Sequence, residues 1–213
     1  MQWNGNRYVA VTCNKNEDRK INDKKCCRRC TGCYCCKDAC PAGAIELSEN
    51  EDGFREAGVN DTICIQCGKC LEVCPVAHDE NRKAYDVSSY AFRACDEVRK
   101  TASSGGVVPV AASVILQKQG VVCGVQLTPD LKAQYIVIDQ VEDIAKINGS
   151  KYIQADATGI YRKIKTLLLE GKTVLFTGLP CQTAGLYNYL KGCDQSRLYT
   201  IDMLCHGTPS DKV

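Results

Sequence analysis

Two groups of cysteines form the most specific chemical pattern in the sequence. Each group reads C-x2-C-x2-C-x3-C-P, and the copies begin at Cys30 and Cys64. Thiolates at this spacing typically bind a pair of [4Fe–4S] clusters, and the fourth cysteine of each copy ligates the cluster of the other copy. The proline that follows suits a chain leaving the site, because it fixes φ and lacks an N–H donor. The predicted ligands are Cys30, Cys33, Cys36 and Cys74 for the first cluster, and Cys64, Cys67, Cys70 and Cys40 for the second.

The first copy has more cysteines than the pattern needs, so its register must be chosen. Cysteines recur every three residues from Cys27 to Cys36. Only Cys36 stands four residues before Cys40, and the C-x3-C-P ending therefore selects the triplet that ends at Cys36. The additional cysteines are Cys26, Cys27 and Cys35.

Zinc and disulfide bonds are the alternatives to clusters. A structural zinc site closes with four ligands and does not need a duplicated set of eight cysteines. Disulfides need an oxidising compartment. The N-terminus lacks the basic start and apolar core of a secretory signal, so we expect the 17 cysteines to be cluster ligands or reduced thiols in the cytoplasm.

Composition and charge narrow the possible partners. The chain has 213 residues, enough for two modest domains, with 45% apolar and 24% charged residues. Its net charge of +2 is too small to favour nucleic acid or a membrane surface as a partner. No apolar run approaches the roughly 20 residues that span a bilayer. A basic stretch at Lys24, Lys25, Arg28 and Arg29 is more typical of a solvated surface than of a site that steers an acidic electron carrier.

The periodicity predicts an α+β two-cluster head followed by an α/β domain. We expect an N-terminal extension at 1–20, the head at 21–78 with a hairpin between its cysteine groups, a linker at 79–88 and the α/β domain at 89–213. In that domain, apolar runs predict strands at 90–95, 121–127, 133–139, 172–177 and 198–203. Helical spacing and end signals predict helices at 107–120, 141–147 and 159–170, and one after the 178–182 turn.

Two features of the α/β domain could bind ligands. Ser103-Ser104-Gly105-Gly106 precedes a predicted helix, where free backbone N–H groups and hydroxyls can approach a phosphate, although serine and glycine also cap helices without binding anything. Cys181 and Cys205 follow two successive predicted strands. The carboxyl ends of parallel strands meet at one edge of the sheet, so these cysteines are expected to lie at the same edge.

Taken together, the motifs SSGG, GSKY, GLPCQ and DMLCHGTPS behind a two-cluster head resemble the family of coenzyme F420 hydrogenase/dehydrogenase β-subunits, most closely its bacterial branch. The resemblance implies a flavoprotein fused to a ferredoxin. The FAD contacts it implies are Ser103, Ser104, Gly105, Gly106, Lys151, Gly178 and Pro180.

The same resemblance implies that Cys181 and Cys205 are two ligands of a third [4Fe–4S] cluster, whose other ligands lie beyond this sequence. We therefore expect a C-terminally truncated flavin domain. Cys205-His206-Gly207 differs from the deazaflavin-using members, which argues against coenzyme F420 as the substrate. No catalytic residue is assigned, and His206 is the one titratable side chain expected near the flavin edge.

Three functions are consistent with these residues. The first is an iron–sulfur flavoprotein oxidoreductase that passes electrons between ferredoxin or another redox protein and FAD, which acts on an unknown small molecule. The second is an electron-transfer subunit with two [4Fe–4S] clusters and no substrate chemistry of its own. The third is a zinc-stabilised interaction module.

Overall fold

The computed structural model describes residues 30–77 and 88–210. The basic stretch at residues 24–29 and all but the last residue of the predicted linker lie outside these ranges. The head and the α/β domain are each built from short elements, and hydrogen bonds and packed side chains join them.

The head consists of two short helices and one hairpin. The hairpin predicted between the cysteine groups is confirmed, because its two strands pair antiparallel with Ile45 opposite Val59. Each helix begins after a residue in the left-handed region, Tyr34 at φ 60° and Gly68 at φ 73°. The elements are α1 (Cys35–Ala39), β1 (Ile45–Glu49), β2 (Arg55–Val59) and α2 (Lys69–Glu72).

The α/β domain is built on a mixed sheet of four strands in the order β4-β3-β5-β6. The first two strands along the chain form an antiparallel pair, and β5 lies parallel to both of its neighbours. All but one of the predicted strands are confirmed. The strands are β3 (Val121–Leu127), β4 (Ala133–Ile138), β5 (Val174–Gly178) and β6 (Leu198–Asp202).

The predicted helices of this domain are also present. They are α4 (Val107–Gln117), α5 (Ile144–Ile147) after a 3-10 turn at Val141–Asp143, α6 (Ile160–Leu169) and α7 (Pro180–Tyr189), and a short α3 (Asp96–Arg99) precedes them. The helix α4 is not capped by the serine pair. Gly106 at φ 78° is its N-cap, and no side chain donates or accepts a capping bond there.

The predicted strand at 90–95 is wrong. This segment is irregular, and Tyr90 and Phe92 are 87% and 49% exposed. Its Ala94 N–H donates to the Gly105 carbonyl, and its Cys95 carbonyl accepts from Arg99 N–H at the start of α3, so the segment follows the turn before α4 and does not pair with a strand. Aromatic and apolar residues favour a strand only where a neighbouring strand and a buried face are available.

Two apolar cores lie on the two faces of the sheet. One contains Ala112, Leu116, Val122 and Leu175, and it joins α4 to the sheet. The other contains α6 and α7, and it also includes side chains of the head, among them Tyr34. The small head thus shares its core with the α/β domain, which fits the expectation that a module of this size cannot bury a sufficient core alone.

Candidate functional site

The predicted first set of ligands converges in the structure. Burial raises the pKa of Cys36 to about 12, and the nearby thiols of Cys30, Cys74 and Cys70 add to this effect. Burial also raises the pKa of Cys33, and the nearby thiols of Cys36 and Cys74 add to that effect. Thiols that suppress one another's ionisation in this way need a cation or a cluster to hold them as thiolates.

Three members of the predicted second set, Cys40, Cys67 and Cys70, also lie near one another. The pKa of Cys70 is raised by burial, with a further contribution from the thiols of Cys40 and Cys67. Cys40 belongs to the first cysteine group in the sequence, so the structure brings together cysteines from both groups. Within the described ranges, no three His, Cys, Asp or Glu side chains converge tightly enough to hold a single metal ion.

Backbone N–H groups point at several of these sulfurs. Gly32 N–H donates to Cys30 Sγ at 3.4 Å, and Gln66 N–H donates to Cys64 Sγ at 3.4 Å. Hydrogen bonds to cluster sulfurs help to set the reduction potential. Gly207 N–H makes the same two-residue contact with Cys205 Sγ at 3.4 Å, so Cys205 has the local geometry of the leading cysteine in each head triplet.

Cys35 has a different environment from the predicted ligands. Its thiol is fully buried and donates to the Gly185 carbonyl in α7 at 3.1 Å. A side chain at Gly185 would bring its Cβ to 3.1 Å from Cys35 Cβ and 3.7 Å from Cys33 Sγ. Because Gly185 has no side chain, the head can approach α7 closely at this position.

The edge of the sheet where β5 and β6 end carries both additional predicted cysteines. Gly178 and Asp202 are opposite one another in the parallel ladder, and Cys181 and Cys205 each follow three residues later. Burial raises the pKa of Cys181 to about 11, with a contribution from Cys205, while a hydrogen bond to the Thr31 side chain acts in the opposite direction. The thiol of Cys181 also contributes to the raised pKa of Cys33, so this edge lies next to the first set of ligands.

Two residues that sequence reasoning missed hold this edge in place. Gln182 Oε1 accepts hydrogen bonds from Leu179 N–H at 2.9 Å and from the Tyr135 hydroxyl at 2.7 Å. The first bond satisfies a backbone donor at the start of α7, where helices have free N–H groups. A glutamine three residues after the N-cap was the available signal, since this is the capping-box position.

The predicted FAD contacts form two groups in the structure. The first group joins the turn before α4 to the loop after α5, because the hydroxyls of Ser103 and Ser150 are 2.9 Å apart. Lys151 Nζ donates to the carbonyls of Asn148 at 2.6 Å and Gly149 at 3.0 Å, and partial burial lowers the pKa of Lys151. The buried Asn148 Oδ1 next to them accepts no hydrogen bond within the described structure.

The second group lies where β5 ends and α7 begins, and it consists of Gly178 and Pro180. A Cβ at Gly178 would lie 2.6 Å from the Phe176 ring and 2.9 Å from the Tyr135 hydroxyl, so packing alone requires glycine there. Packing also accounts for Gly105, where a Cβ would lie 2.6 Å from the Phe92 carbonyl oxygen. A short turn joins α4 to β3, and α4 therefore runs back along the sheet with its first turn near the edge where β5 ends. Of the predicted FAD contacts, Gly178 and Pro180 lie at the edge of the sheet that also carries Cys181.

A carboxylate of the head caps a helix of the α/β domain. Asp38, in the Cys36–Cys40 spacer, is 4% exposed. It accepts hydrogen bonds from the N–H groups of Gly159 at 2.7 Å, Tyr161 at 3.0 Å and Arg162 at 3.4 Å at the start of α6. Free N–H groups and the helix dipole make this a favourable place for a negative charge.

Further hydrogen bonds join the same two parts of the chain. The Tyr161 hydroxyl donates to the Cys33 carbonyl at 2.6 Å, and Arg162 Nε donates to the Asp38 carbonyl at 2.8 Å. On the hairpin, Gln154 accepts from Arg55 N–H at 3.0 Å and donates to the Arg55 carbonyl at 3.3 Å. The segment that carries Cys33 and Cys36 is therefore positioned by the α/β domain as well as by its own turns.

Two regions of the chain match known protein families. Residues 29–78 match the 4Fe-4S dicluster domain, and residues 89–160 match the N-terminal domain of the coenzyme F420 hydrogenase/dehydrogenase beta subunit. The chain thus combines a ferredoxin-type iron–sulfur head with an α/β domain that resembles the coenzyme F420 hydrogenase/dehydrogenase beta subunits over residues 89–160.

The chain is also similar to individual proteins. It is 22% identical to one component of the F420H2 dehydrogenase of Methanosarcina mazei over 200 residues, which cover 86% of this chain and 56% of the relative. Over 67 residues it is 36% identical to one component of the ion-translocating oxidoreductase complex of Methanosarcina acetivorans, covering 32% of this chain and 24% of that protein. The chain spans little more than half the length of the first of these relatives.

A solved structure is also similar. The F420-reducing [NiFe] hydrogenase complex from Methanosarcina barkeri contains a chain that is 19% identical, with a TM-score of 0.47, and the match covers 56% of this chain and 44% of that one. Across residues 30–77 and 88–210, the chain has no helix with the length and apolar character needed to cross a membrane. His206 is exposed at the sheet edge.

Proposed function

We propose that this chain transfers electrons between a ferredoxin-type carrier protein and a flavin site at the edge of its sheet. The observation that carries the proposal is the contact between the first set of cysteines and α7. Cys33 lies beside Cys181, and Cys35 is bonded to Gly185 of the same helix. Redox groups held by these residues would be neighbours within one packed core.

The head cysteines are proposed to hold two [4Fe–4S] clusters. Cys30, Cys33, Cys36 and Cys74 would bind one, and Cys64, Cys67, Cys70 and Cys40 would bind the other. The protein controls cluster potential through hydrogen bonds to sulfur and through solvent access. The backbone N–H bonds to Cys30 and Cys64 and the burial of Cys33 are the corresponding features of this chain.

The flavin site is proposed to be FAD held by Ser103, Ser104, Gly105, Gly106, Lys151, Gly178 and Pro180. A flavin supplies exchange between one-electron and two-electron chemistry. The two serine hydroxyls and the α4 N-terminus can donate to phosphate oxygens, and the buried Asn148 Oδ1 is free to accept a hydrogen bond from a ligand. Lys151 adds a positive charge whose hydrogen bonds to two carbonyls already fix its direction.

A third cluster is proposed at Cys181 and Cys205, with its remaining ligands from outside this sequence. The support is their position at one sheet edge and the N–H bond to Cys205 Sγ. We place the protein in the cytoplasm, where its thiols would remain reduced. The substrate is proposed to be an organic small molecule that exchanges a hydride with the flavin.

An electron-transfer subunit without substrate chemistry is the second candidate. It is favoured by the packing reasons for Gly105 and Gly178, since neither glycine requires a flavin to explain it. Bound flavin in the purified protein would support the first function, and its absence would support the second.

The test is the iron, sulfide and flavin content of protein purified without oxygen. The first proposal predicts roughly eight irons and one flavin per chain, and roughly twelve irons if a third cluster assembles. Eight irons without flavin would support the electron-transfer subunit. Stoichiometric zinc without iron would overturn both proposals.

A matched pair of variants tests the flavin site. The substitution Lys151→Ala should lower the flavin content and leave the iron content unchanged. The control is the substitution Lys172→Ala at an exposed residue, which should change neither the flavin content nor the iron content. Equal flavin content in both variants would contradict the assignment of Lys151.

A further inference from the structure

A basic groove of about 590 Å³ lies between the head and the α/β domain. Three lysines line it: Lys69 of α2, Lys165 of α6 and Lys191, two residues after the end of α7. The one acidic residue among the lining side chains is Glu72. Lys69 and Lys191 are exposed and Lys165 is half-buried, so the positive charge faces solvent. Within the described residues, none of the three lysines forms an ion pair.

The floor of the groove adjoins the predicted cluster ligands. Ala39 and Val73 line it, and each is followed directly by the fourth cysteine of its group, Cys40 or Cys74. Lys69 likewise precedes Cys70. A molecule seated in the groove would therefore lie one residue away from ligands assigned to both clusters.

The chemistry of the lining favours carboxylates of a protein over a phosphate ligand. Specific phosphate sites use helix N-termini, glycine-rich turns or the fork of arginine. Here Asn188, Tyr189 and Lys191 present the C-terminal end of α7, whose dipole disfavours an anion bound close to the backbone. Lysines are flexible point charges that suit steering and surface pairing.

We propose that this groove is the docking surface for an acidic electron-carrier protein, which contacts Lys69, Lys165 and Lys191 through its carboxylates. The inference rests on the proposed electron-transfer function and adds the location of the partner and its charge. Complementary charge across such a surface acts mainly on the association rate. The proposed docking surface does not require the basic stretch at residues 24–29.

The test measures reduction of the full chain, with its clusters assembled, by a reduced ferredoxin of low isoelectric point. The triple variant K69Q/K165Q/K191Q is compared with the native chain and with the control K100Q/K118Q/K172Q, which removes three exposed lysines elsewhere. At an ionic strength of about 0.01 M, we expect the groove variant to react about tenfold more slowly, because steering depends on the summed charge. The difference should disappear at about 0.5 M salt, where screening is strong.

Reduction by dithionite separates this proposal from the proposed function. Equal dithionite reduction and equal iron content in all three proteins show that the clusters are intact. With intact clusters, equal ferredoxin rates in the native chain and the groove variant would overturn the docking surface, and so would an equal loss in the control. If the native chain reacts with dithionite but with no ferredoxin, the carrier in the proposed function is wrong as well.

Other occupants of the groove give different results. Competition by ADP at constant ionic strength, lost in the groove variant, would make the groove a nucleotide site and contradict the proposal. A dimer that dissociates only in the groove variant, measured by sedimentation, would show that a second copy of this chain occupies it and would likewise contradict the proposal.

Discussion

Removal of the Asp38 carboxylate should loosen the start of α6, although Asp38 belongs to the head. The carboxylate accepts three backbone N–H groups, from Gly159, Tyr161 and Arg162, and it is almost fully buried. Loss of an N-cap costs about 0.5–2 kcal/mol, and a charge at a partly buried helix terminus adds up to about 2 kcal/mol. Together these contributions amount to about 0.5–4 kcal/mol, and we expect Asp38→Ala to lower the local opening free energy by an amount in this range.

Amide hydrogen exchange measures this local effect directly in the cluster-loaded protein kept free of oxygen. Each 1.36 kcal/mol is a tenfold change, so protection at residues 159–162 should fall about 2- to 1,000-fold in the Asp38→Ala variant. Asp38→Asn keeps one carbonyl oxygen and should give a smaller loss. The control is Asp96→Ala, whose side chain is 70% exposed and pairs with Arg93 and Arg99, and its effect should be within about 0.5 kcal/mol.

Unchanged exchange at residues 159–162 in Asp38→Ala would refute the reasoning. It would mean that the apolar contacts between the head and α6 fix the start of this helix without the carboxylate. A uniform loss of protection throughout the chain would point instead to global destabilisation.

Three further predictions follow from the cysteines and the helix they contact. Replacement of Cys36 by Ala should remove roughly four of eight irons, whereas Cys35→Ala should keep all eight, and equal iron loss in both variants would contradict the chosen register. Gly185→Ala should destabilise the contact between head and α7 by about 1–3 kcal/mol, because its Cβ would lie 3.1 Å from Cys35 Cβ; a melting temperature equal to that of the native protein would show that the head can move aside. Burial raises the pKa of Cys123 from 9.0 to about 12, so its contribution to stability should be complete below pH 9 and lost as the pH rises through 12. Alkylation at pH 9, mapped by mass spectrometry, should therefore be far slower at Cys123 than at the exposed Cys95, and equal rates would contradict the burial.

The sequence predicted the elements whose signals are local. Val174–Gly178 is apolar, follows a glycine turn and leads into a helix with proline at its start, and each of these signals acts within a few residues. The paired strands β3 and β4 and the hairpin of the head were predicted for the same reason. The strand expected at 90–95 failed because apolar composition does not specify a partner strand.

The contacts between the head and the α/β domain could not be predicted. Asp38 reads as a spacer within C-x3-C, yet its partners lie 121 to 124 residues further along the chain. Gln154 reads as an ordinary polar residue between Ile153 and Ala155, yet it pairs with the backbone of Arg55 in the hairpin. Such contacts depend on how two preformed surfaces meet, and no local periodicity encodes that arrangement.

The two sets of head cysteines face different environments, and this difference gives the proposed electron path a direction. Cys33 is buried against α7 and beside Cys181, whereas Cys67 is exposed. Exposed Ile63 and Ile65 flank Cys64 of the outer set, so that set is accessible to a partner protein. Because Cys33 of the inner set is buried and adjoins the sheet edge, the proposed carrier would approach the outer set and the proposed substrate chemistry would take place at the edge. Burial thus gives the proposed path the order of carrier, outer set, inner set and sheet edge. Mutations around Cys67 should therefore change the reaction with the partner protein more than they change the proposed flavin site.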